Sequence, residues 1–156
     1  MAHANVGRST FYAHHGGKEG LLLHGLHHLQ EVLLHQQSAA PGEPNPPVLG
    51  FSRVFFEHVH EYREVFQALR ADTCEPVVTR KIKRLVTEVI RHELRRAQAE
   101  DHSNEIPRDA VVQFTTDALF SVLIWWFECS PKLSPAKVDA IFRRLTLPAL
   151  AASGAR

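Results

Sequence analysis

This 156-residue chain has only two cysteines, Cys74 and Cys129, too few for a disulfide framework and without metal-type spacing. They read as reduced thiols, buried or partly so. A large excess of either sign of charge is also missing. The formal net charge is +1, so no global field draws the chain to nucleic acid. No apolar run is long enough to span a bilayer: the longest, Ala118–Phe127, covers about half of the roughly 20 residues required. No secretory leader is recognisable. Strand-like alternation of any length is lacking too. There is no nucleophile–base pair, no phosphate-cradling glycine loop and no metal set, so neither an enzyme nor a cofactor is expected. These absences point to a soluble, cytoplasmic, helical protein with no membrane partner.

What is present is enough apolar residue for a core, 44% of the chain, with an ordinary 22% charged. Leu21, Leu22, Leu26, Leu29, Val32 and Leu33 recur at spacings of three and four, predicting a helix over 17–37. Residues 38–47 hold four prolines and a glycine and must be a linker or long loop. Beyond it the pattern predicts a helix over 48–69, with Ser52, Phe55, Phe56, Val59, Tyr62, Phe66 and Leu69 on one face. A second covers 75–99, with Val78, Ile82, Leu85, Val86, Val89 and Leu94 inward. A third starts near Pro107, and its inward set is Val111, Phe114, Thr115, Ala118, Leu119, Val122 and Trp126. Ser134-Pro135 supplies an N-cap followed by proline at the first helical position. That last helix is expected to run to about Leu147, with the tail from Ala151 frayed.

Residues 5–22 carry the strongest functional signal. They read as a turn, a short helix, a second turn and the start of the longer helix. A helix this short is not stable alone and must be held by neighbours. Its outward residues Arg8, Ser9, Thr10, Tyr12, His14 and Lys18 can all donate hydrogen bonds, with Val6 and Phe11 as apolar anchors. Rigidly held donors are what a major-groove reader needs.

The order Ala4-Asn-Val-Gly-Arg-Ser-Thr-Phe-Tyr-Ala-His14, followed by Lys18-Glu19 and Leu21-Leu22, closely resembles the recognition-helix signature of TetR-family transcriptional regulators. The resemblance implies an all-α fold: the remnant of a helix-turn-helix head over 1–37 with its connecting helix, and a ligand-binding and dimerisation body over 48–150. It implies that Arg8 and Ser9 face base edges while Thr10, Tyr12 and Lys18 hold phosphates of a DNA operator. Family members carry one and a half further helices upstream, about 20–40 residues by ordinary helix lengths. His15 stands where the family places a core Phe. Within residues 1–37, Arg8 and Lys18 balance Glu19 and Glu31. The chain as given is therefore expected to bind DNA weakly and without sequence preference.

In the body, the resemblance implies a cavity for a small hydrophobic ligand. The set expected to line it is Phe55, His58, Val59, Tyr62, Phe66, Phe114, Thr115, Leu119 and Trp126, with Asp117 a further polar candidate. Residues 118–127 are apolar nearly all round, so one side is expected to be covered by a second copy. With Val138, Ile141, Phe142, Leu145 and Leu150 of the final helix they would form the homodimer, and Trp126 and Phe142 are expected in its interface. His24 and His28 are four apart with His27 and His35 nearby, but no Cys or carboxylate completes a metal set. The basic cluster Arg80, Lys81, Lys83, Arg84, Arg91, Arg95 and Arg96 is interrupted by glutamates and reads as a solvated helix face. The resulting expectation is a ligand-responsive transcriptional repressor. The alternative is a helical dimer deficient in DNA binding that takes a small molecule or a partner regulator.

Overall fold

The computed structural model describes residues 25, 27–31, 33, 48–70, 75–97, 106–129 and 132–153. Every regular element among them is helical: α1 (Phe51–Glu61), α2 (Arg63–Arg70), α3 (Glu75–Ala97), α4 (Arg108–Cys129) and α5 (Pro135–Ala152). Upstream of α1, the described residues between 25 and 33 are also helical.

α1 begins without a side-chain cap on its Gly50 N-cap. The turn before it supplies the start signal instead. Leu49 adopts a positive φ of 62°, a conformation that costs a residue with a Cβ about 1–2 kcal/mol. Its carbonyl turns onto the helix and accepts from the Ser52 amide (3.1 Å), the Ser52 hydroxyl (2.8 Å) and Arg143 of α5 (2.8 Å). α5 starts as its sequence predicts: the Ser134 side chain accepts from the Lys137 amide and Pro135 occupies the first turn.

α1 packs on α5, α5 on α4, and α4 on α3. Phe55 and Phe56 of α1 meet edge to face, at 5.6 Å between ring centroids. Phe56 presents further edges to Trp126 of α4 and Phe142 of α5, each at 6.0 Å. Such pairs add about 0.5–1.5 kcal/mol beyond the area they bury. Leu29 and Leu33 join the same core, so the upstream helical segment is seated on the body by its leucines.

Several expectations change. The helix foreseen over 48–69 is two helices separated at Tyr62, whose φ and ψ (−97° and 21°) leave the helical region. The Tyr62 amide still reaches the His58 carbonyl, and the Phe66 amide the Tyr62 carbonyl, both at 3.1 Å, so the axis jogs without breaking. α5 runs to Ala152, through Pro148 and past Leu147. Leu150 is buried, and Ser153 caps the last turn through its amide and hydroxyl, which overrides the proline and orders Ala151 and Ala152. Phe114, placed inward by spacing, is 50% exposed, and Leu145, expected on the homodimer face, is 66% exposed. Trp126 and Phe142, expected between subunits, are fully enclosed by their own chain. α4 at 22 residues is long and apolar enough to cross a membrane by length and composition alone. Nine of its residues are nevertheless buried against the other helices.

Candidate functional site

Two polar groups of the expected ligand set, His58 and Tyr62, lie where the upstream helical segment meets α1. His58, one turn before the jog at Tyr62, is buried, and its ring lies 4.6 Å from that of Tyr62. His28 completes the group at 5.4 Å from His58 and 6.3 Å from Tyr62. The Gly25 carbonyl accepts from His58 and so fixes one ring nitrogen as its donor. Burial first, and the neighbouring His28 second, lower the His58 pKa to about 4 against the opposing effect of the Gly25 bond. His58 is accordingly a neutral imidazole at physiological pH, with one nitrogen committed and the other able to accept. Burial also raises the Tyr62 phenol, keeping it a neutral donor.

Phe55 precedes His58 by one turn on α1, and Val59 follows it. Phe55, Val59 and Leu119 are fully buried, Phe66 packs on the same core half-buried, and Phe55 faces the edge of Phe120 at 6.4 Å. A few neutral polar groups among apolar side chains suit a mainly apolar molecule with one or two hydrogen-bonding atoms.

Other members of the expected set fall elsewhere. Phe114 is turned out of the interior, because a helix apolar on all sides has no phase from which spacing can pick its buried side. Asp117 sits at the surface, bound to Lys83 of α3 and to Gln113, contacts that hold its carboxyl below the usual range. Thr115 is buried, but its hydroxyl is spent on the Val111 carbonyl one turn back (2.8 Å). Trp126 is a pillar of the core. Its indole N–H donates to the Leu133 carbonyl at 3.0 Å, His60 stacks on it at 5.7 Å, and the Arg63 guanidinium lies 5.6 Å from its ring. His28 is the member that spacing did not select, since only tertiary packing brings it to His58. Among the described residues no cluster of three or more metal-ligating side chains occurs.

The DNA-contact candidates Arg8, Ser9, Thr10, Tyr12, His14 and Lys18 lie outside the described residues, as do His24, His35, Cys74 and the linker 38–47.

A second feature is the outer surface of α4 and α5. Phe114, Ile124 and Trp125 on α4 and Leu145 on α5 are all exposed, and two of the four are aromatic. Large exposed apolar side chains of this kind mark an interaction surface where they form one contiguous patch.

The family model of the TetR transcriptional regulator C-terminal region matches residues 49–147, most of the chain and nearly all of the described body. No curated protein and no solved structure matches the chain.

Proposed function

The chain belongs to the TetR family of transcriptional regulators, and on that premise we propose that it is a ligand-responsive repressor acting as a homodimer in the cytoplasm. Residues 1–37 are the C-terminal part of the DNA-reading head with its connecting helix, and residues 48–150 are the ligand-binding and dimerisation body. Arg8 and Ser9 read base edges, Thr10, Tyr12 and Lys18 hold the operator backbone, and His14 is a further DNA contact. The protein performs no chemistry. Its output is occupancy of DNA.

The observation that carries the ligand response is the His28–His58–Tyr62 trio. It ties the helix leading from the head to α1 of the body, which also carries Phe55 and Val59. A small hydrophobic ligand that bonds to His58 and Tyr62 competes for the contact with His28. The upstream helix then changes its seat, and the spacing of two heads in the dimer shifts away from the operator spacing. A hundredfold loss of operator affinity needs about 2.7 kcal/mol of differential binding, within the usual range of allosteric coupling.

Dimerisation rests on the outer face of α4 and α5, with Phe114, Ile124, Trp125 and Leu145 meeting their counterparts. A thermal-shift screen of small hydrophobic compounds tests the ligand site. Compounds that raise the wild-type melting temperature should lose their effect on the His58→Leu and Tyr62→Phe proteins. An undiminished shift in both variants rejects this site.

A further inference from the structure

At the other end of α1 lies a buried polar knot that the proposed ligand response does not use. The strained Leu49 carbonyl gathers three donors, one of them from Arg143 of α5. Ser52 is fully buried, and its single hydroxyl proton is shared between the Leu49 carbonyl and the Asp139 carboxylate of α5. Glu93 of α3 reaches the same place. The backbone amides of Leu49 and Phe51 donate to its carboxyl group, so it caps the start of α1 from another helix. Its second oxygen, Oε2, is buried without a hydrogen-bond partner. Three helices thus close on the turn that joins the linker to the body.

We propose that Glu93 is a proton-operated latch on this turn: its neutral acid holds Leu49 in the left-handed conformation, and ionisation releases it. The groups facing Glu93 set the balance. Arg96 on its own helix and Arg143 on α5 favour the carboxylate, as do the two amides. Asp139, the other carboxylate of the knot, is engaged by Ser52. Neither arginine makes an ion pair with Glu93, and the unpartnered oxygen leaves the anion poorly solvated. Burial outweighs the favourable groups and pushes the Glu93 pKa up to about 7. A protonated Oε2 still lacks an acceptor, but a neutral hydroxyl left unpaired costs less than a buried anion.

Deprotonation sends the proton to solvent and leaves a charge that must find water. Water reaches it when the Leu49–Ser52 turn lifts, and Leu49 then relaxes to negative φ. The sign follows from the raised pKa. The latch is fully closed below the ordinary glutamate range and loosens as pH rises through 7. This inference does not depend on what the head or the ligand site binds.

Hydrogen–deuterium exchange on the full chain tests it, with rates corrected for the intrinsic effect of pH. Opening of the segment 49–56 should increase about ten-fold between pH 6 and pH 8, as linkage requires for a group moved from 4.5 to 7. Residues 111–123 of α4 should not change over the same interval. Glu93→Gln, a neutral isostere, should keep its pH 6 protection at pH 8. Wild-type protection that is indifferent to pH, or a Glu93→Gln protein with the same ten-fold rise, overturns the proposal. Carboxyl-carbon NMR titration of the wild type is the second measurement and needs no variant to fold. A Glu93 midpoint in the ordinary range near 4.5 also overturns it.

Discussion

α3 and α4 are nearly equal in length, at 23 and 22 residues, and pack against each other, yet their outer faces are opposites. α3 turns Arg80, Lys81, Arg84, Glu88, His92, Arg95 and Arg96 to solvent and keeps Ile82, Val86, Val89, Ile90 and Leu94 inside. α4 buries Val112, Leu119, Leu123 and Trp126 inside and still leaves Phe114, Ile124 and Trp125 outside. One helix is finished by water. The other calls for a second protein surface, which in our reading is its own copy. Total apolar content does not make this distinction. The presence or absence of a charged stripe does, because a helix without one has no face that water can satisfy.

The sharpest way to break the contrast is to mutate neighbours on the two sides of α4. Trp126→Ala removes the pillar shared by Phe56, His60 and Leu133 and should destabilise the fold by about 3–5 kcal/mol in chemical denaturation. Trp125→Glu, one residue earlier, should leave the fold intact and weaken self-association by a factor of about 30 or more, measured by analytical ultracentrifugation. A Trp125→Glu protein that associates as tightly as the wild type would remove α4 from the interface.

A middle-sized effect concerns His58, a polar group that neither solvent nor a surface stripe explains. Its folded pKa of about 4 lies below the ordinary 6.5, so the neutral ring contributes stability that is complete above 6.5. That contribution is lost as pH falls from 6.5 toward 4, by up to about 3 kcal/mol. His58→Gln retains a donor for Gly25 and cannot titrate. The stability difference between wild type and variant, followed by denaturant unfolding from pH 7 to pH 4, should therefore move in the variant's favour with acid. Glu93 pulls the other way over the same range in both proteins and cancels in the difference.

The smallest effects should come from α3. Arg84→Ala on the solvated face should change stability by no more than about 0.5 kcal/mol and leave self-association untouched. Lys83→Ala, which removes the half-exposed pair with Asp117 bridging α3 to α4, should cost about 0–1 kcal/mol. A large loss of dimer in either variant would move the interface to the charged side and invert the comparison.

Much of the fold was legible because its signals are local. The inward residues of α3, the Ser134-Pro135 start of α5 and the aromatic face of α1 follow from spacing and capping within a few turns. The exposed side of α4 was illegible for the reason already given: with apolar residues on every side, Phe114 and Leu119 look alike in sequence. The jog at Tyr62 carries no glycine or proline to announce it. The polar knot escapes for a different reason. Ser52 and Asp139, or Leu49 and Arg143, meet only after three helices have packed, and nothing near either residue in the chain records its partner. Two members of the candidate ligand trio were readable, since His58 and Tyr62 stand one turn apart in the chain, whereas His28 arrives from another segment.

The bond from the Trp126 indole to the Leu133 carbonyl has a mechanical consequence. It spans the turn between α4 and α5 and pins the last residue before the α5 cap to the end of α4. Sliding α5 along α4 by a helical turn would tear the indole from its acceptor and pull Phe142 off the Phe56 edge. The α4–α5 hairpin therefore behaves as one girder. Any motion the molecule uses to carry a signal has to be taken up at the two articulated points of α1, the turn at Leu49 and the jog at Tyr62, with the girder as their fixed reference.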